Sequence, residues 1–294
     1  MVVEERANGR YSPANRPLKR TVTRFVRRSI FAFRRTIASD SRFPDFVIIG
    51  AQRAGTTSLF NILSGHPSVT QSVVKEVHFF DLNYDKGLEW YKSHFPIYRW
   101  VRYGPKHRWG EASPYYLFEP RVPERMHQAL PKVKLVVLLR NPIDRAYSDY
   151  QRQVQLGQEP LSFEDALAAE GKRTHGEAER MLKNPAYVSI DYQRYAYIER
   201  GMYTKQLERW LKLYSRDQMM IIPAERFFLH MPEVLDEVIS FLDLPHHSFP
   251  GLRTDNSVPY PAMSPVTRDK LRATFADEKK QLEAMTGLTF NWDI

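Results

Sequence analysis

A glycine-flanked loop directly after a short apolar run constrains this chain of 294 residues more than any other feature. The run Phe46–Ile49 contains β-branched residues and is typical of a buried parallel strand. Gly50 and Gly55 follow it at the spacing of a Walker A loop, G-x-x-x-x-G, and a helical pattern then runs from Thr57 to Leu63. Small residues let backbone N–H groups converge on a phosphate, and the helix dipole adds to the attraction. The sequence therefore predicts a phosphate-binding turn between a strand and a helix.

The loop differs from that of a nucleotide triphosphatase. Such an enzyme needs a lysine on the β- and γ-phosphates, whereas Thr56 occupies that position here. A cation stands earlier in the loop, at Arg53, and this arrangement suits one 5′-phosphate and the charge of its leaving group. An ordinary turn that binds nothing is the alternative. The residues predicted to bind the phosphate are Arg53, Ala54, Gly55, Thr56, Thr57 and Ser58.

Two further apolar runs, Lys134–Leu139 and Met219–Ile222, also have the character of buried parallel strands. Strands that alternate with helices indicate an α/β fold with a central, mostly parallel sheet flanked by helices. The predicted helices after the first are Pro120–Leu130, Pro142–Leu156, Phe163–Ala169, Met202–Tyr214, Pro232–Leu242 and Pro265–Met285.

Positive charge is concentrated at the beginning of the chain. Residues 1–42 hold eleven Arg and Lys residues against three acidic ones, while the whole chain has a net charge of +9. We therefore divide the chain into a basic N-terminal arm, residues 1–42, and one folded domain, residues 43–294. Because the domain is nearly neutral, the overall charge gives no reason to expect nucleic-acid binding by it.

The arm contains a helical pattern of apolar residues from Val22 to Ile37, with arginines between them. This predicts an amphipathic helix that either contacts a membrane surface or polyanion through residues 20–37, or docks on the domain with its arginines in water. We expect a cytoplasmic protein, because neither a bilayer-spanning stretch nor a signal peptide is recognisable. The chain has no cysteine, which excludes disulfides, thiolate metal sites and a cysteine nucleophile.

A second phosphate-binding motif follows the predicted strand Lys134–Leu139. Residues 138–150 read L-L-R-N-P-I-D-R-A-Y-S-D-Y. Arg140, at the end of the strand, is able to place two donors on a phosphate, and Ser148 adds a hydroxyl about two helical turns later. Arg145 is expected to be structural. Two phosphate-binding motifs are what a 3′,5′-bisphosphonucleotide requires.

These motifs together resemble those of sulfotransferases that use 3′-phosphoadenosine-5′-phosphosulfate (PAPS). Residues 50–59 are similar to the family's 5′-phosphosulfate loop, with Arg53 where lysine is common, and residues 138–150 to its 3′-phosphate site. The segment Lys75–Asp81, K-E-V-H-F-F-D, resembles the glycosaminoglycan branch and above all the heparan sulfate 3-O-sulfotransferases, as do residues 111–116 and 286–292. The resemblance implies a P-loop-NTPase-like three-layer fold, PAPS as co-substrate, 3′-phosphoadenosine 5′-phosphate (PAP) as product, and no metal.

The resemblance also implies roles for the residues of Lys75–Asp81. Glu76 matches the catalytic base that takes a proton from the acceptor as the acceptor attacks sulfur. His78 matches a residue that supports catalysis, and Asp81 matches one that contacts the substrate. Arg53 would neutralise the charge that grows on the bridging oxygen as PAP departs. We therefore expect in-line transfer of the sulfuryl group to a hydroxyl or amine.

Two departures from the heparan sulfate branch bear on the acceptor. Ala112 stands where those enzymes carry lysine, and residues 253–261 replace their lysine- and glycine-rich loop, which a disulfide closes. The nearly neutral charge of the domain also argues against a long polyanionic acceptor, which would favour a basic cleft. The sequence therefore predicts a bacterial-type enzyme acting on a carbohydrate, glycolipid or other small acceptor. The alternatives are a P-loop kinase or ATPase and a non-catalytic module that binds a nucleotide or polyanion.

Overall fold

The computed structural model describes residues 41–96, 104–249, 251 and 260–294. Within these ranges five strands form one sheet in the order β2–β3–β1–β4–β5, and each neighbouring pair is parallel. The strands are β1 (Phe46–Gly50), β2 (Val69–Gln71), β3 (Arg108–Ala112), β4 (Lys134–Leu139) and β5 (Met219–Pro223).

The α-helices of the described ranges lie between these strands and after the last of them. They are α1 (Thr56–Ser64), α2 (Phe79–Leu82), α3 (Leu88–Lys92), α4 (Val122–Ala129), α5 (Pro142–Gln155), α6 (Phe163–Thr174), α7 (Glu177–Lys183), α8 (Ile190–Tyr195), α9 (Tyr203–Leu211), α10 (Ala224–Leu229), α11 (Met231–Phe241) and α12 (Pro265–Thr286).

The predicted α/β class, with a central parallel sheet flanked by helices, is confirmed. All five residues of β1 are buried, and so are all residues of β4 except the first. A parallel strand is buried on both faces only if helices cover both, which explains why these two strands are continuous apolar runs. The predicted strands correspond to β1, β4 and β5. Helix α6 continues to Thr174, past its predicted end at Ala169.

Strands β2 and β3 are absent from the prediction. β2 has only three residues, and β3 reads R-W-G-E-A, a sequence without an apolar run. β3 nevertheless lies inside the sheet, between β2 and β1. Gly110 is required there because a Cβ would lie 2.2 Å from the ring of Phe46.

Helix α5 is anchored by a buried group of charges. Asp149 accepts hydrogen bonds from Arg145 at 3.1 Å and from Arg200 at 2.8 Å. Arg145 also donates to the carbonyl of Tyr197. Both arginines are almost completely buried. This placement agrees with the expectation that Arg145 is structural.

Two predicted features lie outside the described residues. The helical pattern of the arm falls in residues 1–40, and most of the late segment 253–261 falls in residues 252–259. In the part of the chain that is described, no helix is both long enough and apolar enough to cross a bilayer.

Candidate active site

The predicted phosphate loop lies at the C-terminal end of β1. Strands β2 and β3 lie on one side of β1 and β4 and β5 on the other, so the chain changes its winding direction next to this loop. Ligands of open α/β sheets bind at such a point. Gly55 is the residue before α1 and has φ of 93°. This left-handed conformation requires glycine, and a Cβ at Gly55 would also displace the exposed ring of Phe228, from which it would lie 2.6 Å. Thr56, Thr57 and Ser58 then form the first turn of α1, whose free N–H groups are suited to an anion.

The two predicted phosphate motifs meet in space. Arg53 donates from Nε to Ser148 Oγ at 3.1 Å, although the two residues are 95 positions apart. Arg140 donates from Nη1 to the Arg53 carbonyl at 3.0 Å, and the amide of Ala51 bonds the Leu138 carbonyl at 2.7 Å. The arginines predicted to hold the 5′- and 3′-phosphates therefore lie side by side above the ends of β1 and β4.

Buried partners fix the backbone around Arg140. The Tyr203 hydroxyl donates to the Arg140 carbonyl at 2.9 Å. The next residue, Asn141, donates its amide to Glu225 Oε1 at 2.8 Å and caps α5 by accepting from the amide of Ile143 at 3.0 Å. The guanidinium of Arg140 thus lies at the C-terminal end of β4, and within the described ranges it forms no ion pair with a carboxylate.

The acidic segment, Lys75–Asp81, forms a row of hydrogen-bonded side chains that ends at the phosphate loop. Glu76 Oε2 lies 3.0 Å from His78 Nε2, and His78 Nδ1 lies 2.7 Å from Asp81 Oδ2. On the other side, Lys75 Nζ lies 3.3 Å from Glu76 Oε1 and donates to Thr57 Oγ1 at 2.8 Å. One lysine therefore separates the carboxylate of Glu76 from the first turn of α1.

The protonation states of His78 and Glu76 follow from these contacts. Burial lowers the pKa of His78, but its bonds to Asp81 and Glu76 outweigh burial and raise that pKa to about 10. Burial has the opposite effect on a carboxyl group and raises the pKa of Glu76. The hydrogen bond from His78 and the charge of Lys75 outweigh burial and hold that pKa below its usual value. At neutral pH His78 is therefore a cation and Glu76 an anion.

The structure brings all the predicted site residues into one region, and it adds residues whose part the sequence does not reveal. Lys75 belongs to the acidic segment, but the sequence does not reveal that its side chain contacts Thr57 in α1. Ser113 accepts a hydrogen bond from the amide of His78 at 3.2 Å across 35 positions. The one sequence feature that indicates a role for Ser113 is its place in residues 111–116, which resemble the glycosaminoglycan branch.

Comparisons with known proteins agree with this site. The family model for the sulfotransferase domain matches residues 43–281. Heparan sulfate glucosamine 3-O-sulfotransferase 5 of Mus musculus is 29% identical over 323 residues, covering 99% of this chain and 88% of that protein. Bifunctional heparan sulfate N-deacetylase/N-sulfotransferase 1 of Caenorhabditis elegans is 34% identical over 212 residues, which are 70% of this chain but 23% of that protein.

A solved structure is also similar. The crystal structure of a sulfotransferase from Alicyclobacillus acidocaldarius is 31% identical, has a TM-score of 0.66, and is matched over 86% of this chain and 98% of that one. The kinase, ATPase and non-catalytic alternatives are not favoured by any of these similarities. Because the family model covers the phosphate loop, the acidic segment and the second motif alike, the chain belongs to the sulfotransferase domain family and is a sulfotransferase.

Proposed function

We propose that this sulfotransferase moves the sulfuryl group of PAPS to a hydroxyl or amine of a saccharide, with Glu76 as general base. The observation that carries the proposal is the bridge formed by Lys75, which bonds Thr57 of the loop and lies beside Glu76. A base must lie next to the group being transferred, and this bridge joins the carboxylate to the loop that would hold that group.

The two phosphates of PAPS have separate partners in this proposal. The first turn of α1 and Arg53 would hold the 5′-phosphosulfate, and Arg140 with Ser148 the 3′-phosphate. The contact between Arg53 and Ser148 supports a single ligand that spans both motifs. Arg53 is exposed at the loop, as a cation that meets a ligand must be.

The reaction then needs one proton transfer and one displacement at sulfur. The acceptor oxygen or nitrogen forms a bond to sulfur while the bond from sulfur to the bridging oxygen breaks. The acceptor's proton goes to Glu76, and PAP leaves with the electron pair of the bridging oxygen. Arg53 would neutralise that growing charge, a contribution on the order of several kcal/mol. Neither a covalent enzyme intermediate nor a metal ion takes part, and independence from metal stays a prediction.

The charges of the segment favour Glu76 over His78 as the base. With a pKa of about 10, His78 already carries its proton at neutral pH and has no free nitrogen to accept another. Asp81 and Glu76 occupy its two nitrogens. We infer that His78 orients Glu76 as an imidazolium. The side chain of Asp81 is completely buried, so we infer that it fixes His78 and that any contact with substrate is indirect.

The acceptor is proposed from the relatives. Two of them act, by name, on heparan sulfate, which supports a saccharide acceptor for this chain. Ala112 is buried in β3, where it offers no charge to a polyanion. A short or weakly charged saccharide therefore fits this chain better than a long polyanion. A cytoplasmic location and contact of residues 20–37 with a membrane or polyanion stay predictions.

PAP is expected to raise the melting temperature, since it binds the native state through both phosphate motifs. At 100 times its Kd a ligand stabilises the native state by about 2.7 kcal/mol. ATP should stabilise much less because it lacks the 3′-phosphate, and EDTA should change nothing. Differential scanning calorimetry with each addition measures the effect. Equal stabilisation by ATP, or loss of the PAP effect in EDTA, would contradict the proposal.

The Arg140→Ala variant is the internal control for this measurement. It should weaken PAP binding by roughly 1.5–3 kcal/mol, the scale of a hydrogen bond to a charged group. Binding of 5′-AMP should weaken less, because Arg140 reaches the 5′-phosphate loop only through the Arg53 carbonyl. Equal losses for PAP and 5′-AMP would show that Arg140 does not distinguish the 3′-phosphate.

A further inference from the structure

Glu111 is a fully buried carboxylate that the proposed reaction does not use. It lies in β3 with no exposed surface. Three hydroxyls donate to it: Ser113 to Oε1 at 2.7 Å, Tyr116 to Oε1 at 2.9 Å, and Tyr91 to Oε2. Burying a carboxylate destabilises the folded state unless the carboxylate is fully hydrogen-bonded, so these contacts explain how Glu111 is tolerated. They do not explain what it does there.

Two of these hydroxyls also hold the acidic segment. Ser113 Oγ accepts from the amide of His78 at 3.2 Å, and the Tyr116 hydroxyl accepts from the amide of Phe79 at 2.8 Å. A hydroxyl has one proton to donate. Because Glu111 takes that proton from both groups, their lone pairs are turned towards the two amides. Without an acceptor at position 111 the hydroxyls would be free to rotate and the amides would lose their partners.

The turn held in this way has an unfavourable backbone. His78 has φ of 51°, in the left-handed region that non-glycine residues seldom adopt. Such a conformation persists only where the surroundings fix it. In this conformation the His78 ring reaches Glu76 on one side and Asp81 on the other. The amides of His78 and Phe79 are therefore two points at which the turn is held, and Asn83 Nδ2 holds a third by donating to the His78 carbonyl at 2.7 Å.

We propose that Glu111 is a positioning residue that acts through Ser113 and Tyr116 to fix the turn at His78, and thereby the orientation of Glu76. The inference rests on the proposed function, because Glu76 is the base that is positioned. Glu111 touches neither substrate nor nucleotide in this scheme.

The Tyr116→Phe variant tests this, with Tyr214→Phe as its matched control. Both tyrosines are buried and both changes remove one hydroxyl, but among the described residues that of Tyr214 donates to the Leu130 carbonyl alone, at 3.2 Å, outside the Lys75–Asp81 segment. Tyr116→Phe should lower kcat by about 10- to 100-fold, the scale of a small misplacement of a catalytic group. PAP affinity should match wild type in both variants, and kcat should fall only in the first.

A second readout follows His78 itself. In the wild type, NMR titration should give His78 a pKa of about 10. In Tyr116→Phe and Ser113→Ala that pKa should fall towards 6.5, the value of an unpaired histidine, and in Tyr214→Phe it should not change. Activity is compared well above pH 7, because burial raises the pKa of Glu111 to about 7 and the carboxylate must be ionised. Glu111→Gln, which keeps one acceptor oxygen, should retain more activity than Glu111→Leu.

Equal kcat values for Tyr116→Phe and Tyr214→Phe, or an unchanged His78 pKa in Tyr116→Phe and Ser113→Ala, would overturn the inference. Tyr116→Phe and Ser113→Ala, compared with Tyr214→Phe, decide the inference even if the Glu111 variants fail to fold. The outcome is separate from that of the proposed function. If Glu76→Gln keeps normal turnover, the assignment of the base fails. If Glu76→Gln is inactive while Tyr116→Phe equals its control, only the role of Glu111 fails.

Discussion

Glu76→Gln is expected to lower turnover by about 10²–10⁴-fold, the usual contribution of a positioned general base, and to leave PAP affinity within a few-fold of wild type. Glutamine keeps the shape of the side chain but does not accept the acceptor's proton. The loop amides, Arg53 and Arg140 are untouched by the change, so nucleotide binding should persist. Steady-state kinetics and calorimetric titration with PAP measure the two quantities on the same preparation.

The pH dependence gives this prediction a second test. The wild-type rate should fall in two steps as the pH drops. Protonation of Glu111, whose pKa burial raises to about 7, loosens the turn at His78, and protonation of Glu76, whose pKa is lowered, then removes the base. Glu76→Gln should lack the second, more acidic step. Glu89→Gln is the matched control, since Glu89 is exposed on α3 and its ion pair, with Lys92 at 3.1 Å, lies outside the Lys75–Asp81 segment. A Glu76→Gln variant with near-normal turnover would make Glu76 structural. Loss of PAP binding would instead show that the segment shapes the nucleotide pocket.

Asp149→Asn is expected to destabilise the domain by about 3–5 kcal/mol, the cost of leaving a buried charge without its partner. The change would leave the guanidiniums of Arg145 and Arg200, which are 0% and 2% exposed, without the carboxylate that both contact. Urea denaturation followed by circular dichroism measures the free energy of unfolding.

The control for Asp149→Asn is the same substitution at Asp277. This residue pairs with Lys280 at 3.7 Å and its side chain is 88% exposed. Exposed ion pairs contribute about 0–1 kcal/mol, so the control should remain close to wild type. If the two variants lose similar stability, the buried group does not anchor α5.

The parts of the fold that the sequence predicts are those whose signals are local. β1 and β4 are apolar runs because both of their faces are buried, and the loop after β1 carries its glycines at fixed spacing. β3 shows no such signal. Its Glu111 resembles a surface residue until the fold turns the hydroxyls of Ser113 and Tyr116 back onto it and brings up that of Tyr91, 20 positions away. Contacts of this kind depend on the completed fold.

The same limit applies to the candidate site. Glu76, His78 and Asp81 are close in sequence, so a family resemblance within seven residues identifies them. The charge of His78 depends on the geometry of its two bonds, and the left-handed turn that creates this geometry has no glycine to indicate it. The sequence therefore identifies the residues of the segment, whereas the structure indicates which of them carries the proton.

The choice of donor tests the central claim most directly. Wild-type protein is incubated with a panel of saccharides and either PAPS labelled in its sulfuryl group or ATP labelled in its γ-phosphate, each with and without EDTA. We expect label from PAPS to appear in a saccharide regardless of EDTA, and no label to be transferred from ATP. Two results would contradict the assignment of this chain as a PAPS-dependent saccharide sulfotransferase. One is transfer of label from ATP, and the other is that no saccharide gains more label from PAPS than in the control without enzyme.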